Sequence, residues 1–294
     1  MKDIPDKEIE NVSTLYERLS RLVQIVNWLK FGNRYAGYTM HKSLIIPADR
    51  QGKYHRKNSP HFINDLALEA AQLGSRPRVL DAGCGWGGTM FRWYEKIGGF
   101  YHGLTLSRRQ VLAAEKQAKR LHLDPHIKFF RQSYDDPLPG SYDAIVAIEA
   151  LIHSPNLERS LANLSAGLLP EGKFIIVDDM VREGAQISGE AEMTLLRSYW
   201  HVREIPPLNT YREWFQQNSI QLIIEKDLSS LVPYGTAAQI QKWQKRFMFL
   251  KRVLPLRAVR EGIEIQMGGL ALQQLHLRKK VGYYLLVGQK SKAS

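Results

Sequence analysis

The stretch RVLDAGCGWGGTM, Arg78 to Met90, sets Gly83, Gly85, Gly87 and Gly88 within six positions directly behind Asp81. Crowded glycines after a short apolar run let a ligand come close to the backbone, and a helix beginning behind such a turn aims unpaired amides at a negative ligand group. Two phosphate-binding designs are excluded: no Gly-Lys-Ser/Thr follows, and the third glycine falls one or two positions early for G-x-G-x-x-G. Cys84 and Trp86 read as packing residues. Other chemistry-bearing side chains gather in FGNRYAGYTMHKSL (Tyr35, Tyr38, Met40, His41, Lys42), in LLRSYWHVREIPP (Tyr199, Trp200, His201), and at His153. Histidines there supply bases and aromatic faces stabilise cations, and no carboxylate pair stands beside them. The cluster Arg50, Lys53, His55, Arg56 and Lys57, together with Lys42, suits an anionic head group such as a diphosphate.

The elements that must position these residues follow from periodicity. VLDAG, Tyr101–Leu106, Ile127–Gln132, Tyr142–Ile148 and Lys173–Asp179 read as buried strands, and Ile220–Leu228 and Gly282–Lys290 as two final ones. GTMFRWYEKI, SRRQVLAAEKQAKRLHL and NLERSLANLSAGLL carry apolar residues at helical spacing between them. The alternation predicts βαβ units, hence an α/β fold with a parallel sheet between helices. Residues 1–73 read as a helical N-terminal lid segment before a domain at 74–294. Insertions at about 181–207 and 232–280 leave the carboxyl ends of strands, where α/β folds build their sites.

The glycine stretch resembles motif I of the class I S-adenosylmethionine-dependent methyltransferases, an acid followed by G-x-G-x-G. The resemblance runs from Arg78 to Asp179 and implies a Rossmann-like, seven-stranded, mostly parallel sheet with an antiparallel last strand and helical lids. It implies that Asp81, Gly83 and Gly85 line the S-adenosyl-L-methionine site. GLTLSRRQ lacks the usual ribose-gripping acid and is similar to the T-x-S-x-x-Q of the cyclopropane-synthase, sterol and tocopherol methyltransferase branch. Thr105 and Gln110 are then the ribose and carboxylate contacts, Ser133 and Tyr134 flank the adenine, and Glu149 completes the cofactor set. His153 stands where that branch has an active-site histidine. Cyclopropane synthases carry a Glu just before it, as part of a bicarbonate site. Ile152 is here, which argues against cyclopropanation and not against alkene methylation.

By the same resemblance the segment with Tyr35 and Tyr38 folds over the cofactor, and that with Tyr199, Trp200 and His201 covers the substrate. The expected reaction is methyl transfer to a hydrophobic small molecule, C-methylation of an isoprenoid alkene, with a prenyl diphosphate as one form. His153, Tyr38 and His41 stand around the methyl group, and Tyr35, Lys42, Arg56, Tyr199, Trp200 and His201 around the acceptor. No resident metal is expected, though Mg²⁺ would accompany a diphosphate. O- or N-methylation of an aromatic or polyketide product, with His153 or His201 as base, stays open. The net charge of +12 over 294 residues keeps an RNA methyltransferase as a further alternative, without a D/N-P-P-Y signature or an RNA-binding module. DNA is not an expected partner, and oligomeric state is not readable. Trp243, Phe247, Phe249 and Leu250 among lysines and arginines make contact with a membrane surface another option, interrupted at Pro255. One cysteine excludes a disulfide framework and a cysteine zinc site. No window is long and apolar enough for a membrane helix, and the charged MKDIPDKEIE lacks the core of a secretory signal, so a cytoplasmic setting is expected.

Overall fold

The computed structural model describes residues 10–17, 39, 41–54, 58–253 and 257–292. Tyr35, Tyr38, Arg56, Met40, His55 and Lys57 of the sequence reading lie outside these residues. The helix at 10–17 (α1) is followed by a short antiparallel pair, β1 (Leu44–Ile45) and β2 (Asn58–Ser59). Then come α2 (His61–Ala71), β3 (Arg78–Ala82), α3 (Gly88–Ile97), β4 (Phe100–Thr105), α4 (Arg108–Arg120), β5 (Ile127–Arg131) and β6 (Tyr142–Ile148). The second half holds α5 (Leu157–Ala166), β7 (Leu168–Val181), α6 (Ala191–Trp200), α7 (Leu208–Gln217) and β8 (Ile220–Asp227). It closes with α8 (Ala237–Val253), α9 (Arg257–Leu277) and β9 (Val281–Lys290).

All seven strands expected from the sequence form one sheet in the order β5-β4-β3-β6-β7-β9-β8. Neighbours pair in parallel except β9, which runs antiparallel to both β7 and β8. Successive residues of each central strand point to opposite faces. Val79, Val146 and Ile175 therefore enter one apolar cluster, and Leu80, Ile145 and Ile176 enter the other. A strand buried on both sides is the continuous apolar run that a parallel sheet between helices requires.

Local signals set the helix starts that matter for the site. Gly87, at φ +83°, turns the chain into α3, and Met90, Phe91 and Trp93 are the buried face of that helix. Ser107 caps α4 by accepting from the Gln110 amide at 3.2 Å, and Asn156 caps α5 by accepting from Arg159 at 3.0 Å. α2 packs Phe62, Ile63 and Leu66 into the sheet's first cluster, which Leu44 and Ile46 join from the segment before it. One expectation shifts. β7 starts at Leu168, five residues earlier than Lys173, and runs on to Val181. The two late insertions meet in a third apolar cluster, where Met193 and Leu196 of α6 pack on Ala271, Leu272 and Leu275 of α9. Among the described residues no helix is long and apolar enough to cross a membrane.

Candidate active site

Two cavities, of about 280 and 320 Å³, open at the carboxyl ends of β3, β4, β6 and β7. They share one wall: Tyr16, Gly83, Gly85, Gln110, Glu149 and His153 line both. The glycine turn is shaped for a close neighbour. Gly85 sits at φ +53°, and a Cβ built on it would meet no protein atom within 4 Å, whereas one on Gly83 would stand 2.5 Å from the Ala150 Cβ. So Gly83 packs against the protein, and Gly85 leaves its open side to the cavities.

The first cavity is built from β4, β5 and the turns behind them. Thr105 donates to Gln110 Oε1 at 2.5 Å, and the Ser107 amide donates back to Thr105 Oγ1 at 3.2 Å. Ser133 and Tyr134 line the same space, with the Tyr134 hydroxyl donating to the Ala150 carbonyl at 3.2 Å. Asp135, a residue the sequence reading passed over, lines it too. Its Oδ1 accepts from Ser160 at 2.5 Å, and its buried Oδ2 has no partner among the described residues. Burial pushes its carboxyl upward, and the Ser160 and Ser133 hydrogen bonds pull the other way. α1 closes the cavity with Val12 and Tyr16 and is fastened by Glu17, which accepts from Ser107 Oγ at 2.9 Å and from the Arg109 amide at 3.1 Å.

The second cavity collects side chains from three neighbouring strands. The register pairs Ile148 with Val177, and Asp178 and Asp179 with Tyr284 and Tyr283, so Glu149, both aspartates and Tyr283 arrive together. Glu149, held at φ +53°, accepts from the Lys42 amide at 3.0 Å and from the Tyr283 hydroxyl at 2.7 Å. A side-chain-bearing residue in this backbone region carries strain that the surrounding bonds must hold. Lys42 Nζ lies 2.6 Å from Asp179 and 3.6 Å from Glu149, and His276 adds a 2.7 Å bond to the other oxygen of Asp179. Against the cost of burial, the Lys42 charge and the His276 bond hold Asp179 down at about 2. Asp178 behaves oppositely: burial, then the charge of Asp179, raises it to about 8, while its oxygens accept from the Ile152 and Asp179 amides at 2.9 Å each. The two neighbours are thus pushed in opposite directions, Asp178 toward the protonated acid and Asp179 toward the carboxylate.

Histidines flank that cluster. His153 stands edge-on to Tyr16 at 5.5 Å, and its buried Nδ1 has no partner among the described residues. Burial, then the nearby His201, lowers its pKa to about 4, so the ring is neutral at pH 7. His41 Nε2 lies 3.1 Å from Thr89 Oγ1, which itself donates to Asn64 at 3.3 Å.

Several expected site residues are placed differently. Asp81 lines neither of these cavities; it is buried below the turn, raised to about 7 by desolvation, with Oδ2 lacking a partner among the described residues. Tyr199 also lines neither and instead ties α6 to α8, its hydroxyl accepting from Lys251 at 3.2 Å. His201 lines the first cavity and not the second, because the chain leaves α6 there in a left-handed turn at φ +53°. Trp200 lines the second cavity. Lys42 is there too, but its ammonium is held between two carboxylates and not held out for an anion. The absence of a carboxylate pair is overturned outright by Asp178, Asp179 and Glu149. The acidic doublet at the end of KFIIVDD was the available signal, since strand carboxyl ends face the site. Among the described residues no group of three His, Cys, Asp or Glu is arranged to hold a metal ion.

Residues 61–248 match the family model described as mycolic acid cyclopropane synthetase. The chain belongs to that family. A relative among characterised proteins is 24-methylenesterol C-methyltransferase 2 of Arabidopsis thaliana, 26% identical over 202 residues, covering 66% of this chain and 54% of that protein. The chain thus spans about half the length of that relative. A cyclopropane synthase from Mycobacterium tuberculosis superposes with a TM-score of 0.72 at 18% identity, over 96% of this chain and 98% of that one. The geranyl diphosphate C-methyltransferase of Streptomyces coelicolor, solved with Mg²⁺, geranyl diphosphate and S-adenosyl-L-homocysteine, superposes with a TM-score of 0.68 at 16% identity, over 96% and 97%. These likenesses establish the Rossmann-like class I methyltransferase fold for this member of the cyclopropane synthetase family.

Proposed function

We propose that this family member is an S-adenosylmethionine-dependent methyltransferase acting on a hydrophobic small molecule, with an alkene carbon of isoprenoid type as acceptor. The observation that carries the reading is the shared wall, where a glycine-lined cavity meets a second one walled by aromatic and acidic side chains. The cofactor fits the first cavity on two counts. Gly85 offers an open backbone face, and the unpartnered Asp135 oxygen can accept from an amino group such as that of adenine. Bound there, the cofactor supplies an electrophilic methyl group for in-line displacement. Thr105 and Gln110 orient its ribose, Tyr134 offers a stacking face, and α1 excludes water from above.

In the second cavity the faces of Tyr16 and Trp200 and the charges of Glu149 and Asp179 favour positive charge developing on the acceptor. Glu149 and neutral His153, both at the shared wall, can take up the proton that the methylated acceptor loses. An anionic head group is disfavoured inside this cavity. Lys42 is already neutralised, and a diphosphate would face the Glu149 and Asp179 carboxylates that pair with it. We therefore place the uncharged alkene end here, and we assign no metal site, no group of three His, Cys, Asp or Glu among the described residues being arranged to hold an ion. The same acidity supports a second reading, N-methylation of an amine, which these carboxylates would draw in as its cation and which Glu149 or neutral His153 would deprotonate so that the nitrogen lone pair can attack.

Incubation with deuteromethyl-labelled S-adenosylmethionine and a panel of prenyl alcohols, prenyl diphosphates and tertiary amines, followed by mass spectrometry, tests both readings. The proposal expects a labelled methyl on a prenyl carbon. Labelled ammonium products alone would establish the second reading. Turnover of none of these acceptors by protein that binds S-adenosylhomocysteine would reject both.

A further inference from the structure

α9 carries two adjacent glycines, Gly268 and Gly269, in the middle of a 21-residue helix. Glycine is a poor helix former, so a pair of them here calls for a packing reason. The indole of Trp200 supplies it. A Cβ on Gly268 would lie 2.5 Å from Trp200 Nε1 and 2.6 Å from Cδ1, and one on Gly269 would lie 3.6 Å from Cζ2. The ring nitrogen donates to the Ile265 carbonyl of the same helix at 2.9 Å. Trp200 therefore lies in a notch cut into α9, pinned by one hydrogen bond. Trp200 and Ile265 both line the second cavity, and Trp200 does not line the first.

We propose that Gly268 determines acceptor size by setting how far the Trp200 indole recedes from the second cavity. The inference rests on the reading of that cavity as the acceptor site. A methyl group at residue 268 cannot coexist with the ring where it stands. The helix backbone is fixed by its own hydrogen bonds, and α6 is packed on α9 through Met193 and Leu196. The indole is the part that gives, and the open space beside it is the cavity it lines. Gly268→Ala then shortens the cavity, and Trp200→Ala lengthens it.

The test uses the full chain saturated with S-adenosylhomocysteine, with 1-alkanols and prenyl alcohols of increasing length titrated calorimetrically into wild type, G268A and W200A. G268A is expected to bind S-adenosylhomocysteine as wild type does, yet to lose about tenfold or more in affinity for the longest alcohols the wild type accepts, keeping the short ones. W200A should move the limit the other way. The same length limit in G268A and wild type would overturn the proposal. So would a crystal structure of G268A showing an indole that has not moved toward the cavity. Failure of the isoprenoid reading looks different: wild type would then take alkanols and refuse prenyl alcohols, and the notch is judged on the alkanol series and on the indole position.

Discussion

His153 shows how one residue's surroundings decide its chemistry. Its ring has an ordinary value of 6.5 and a folded value of about 4, set first by burial and then by His201. As pH falls, the unfolded chain takes up this proton first. The contribution to stability is therefore full above pH 6.5 and is lost as pH falls toward 4, amounting to ~2 kcal/mol at pH 5. Urea unfolding at pH 7 and pH 5 should show that loss in wild type, and His153→Asn should remove about that much of the difference. Asp178, raised to about 8, acts with the opposite sign: its share is full below pH 3.8 and declines as pH rises toward 8. The sequence showed His153 by its place after the fourth core strand. It did not show the weight of the DD doublet, since two aspartates at a strand end are as readily solvated as buried. Burial, and a lysine more than a hundred positions away, are what separate them.

At the scale of elements, α1 is held over the first cavity by an acidic side chain at a helix start. Glu17 bonds Ser107 and the Arg109 amide and pairs with the Arg109 side chain at 3.1 Å, so a negative charge meets the positive end of α4. Glu17→Gln keeps the shape and removes the charge. The expected outcome is an S-adenosylhomocysteine dissociation rate higher by about two- to fivefold, measured by stopped flow, with melting behaviour little changed. An unchanged rate would mean that α1 does not retain the ligand. The start of α4 was legible because Ser107 is a good cap at the end of a strand. The docking of residues 10–17 on it was not, because nothing in a short charged helix names the surface that receives it.

For the whole molecule, the charge balance of +12 and the acidity of the second cavity point in opposite directions. The basic residues are mostly outside, for example on α8, where Trp243 and Phe249 are exposed among lysines and arginines. Net charge thus described the surface and misread the cavity. Ligand binding at the shared wall should also be felt globally. S-adenosylhomocysteine at about 100 times its Kd adds about 2.7 kcal/mol to the stability of the folded state. In a chain of 294 residues that should raise Tm by roughly 5 °C in calorimetric scans. No shift at that excess would contradict the assignment of the first cavity.

The sequence by itself determined the sheet, its seven strands and the glycine turn, because these depend on apolar periodicity and on residues within a few positions of one another. Thr105 with Gln110, five positions apart, belongs to that local class. Tertiary structure alone decided the content of the second cavity. Lys42, Glu149, Asp179, His276 and Tyr283 become neighbours only when β7 pairs in register with β6 and β9 and the α9 insertion folds back over them. An ion pair between distant positions leaves no periodic trace in the chain, so its sign and its partners had to come from the fold.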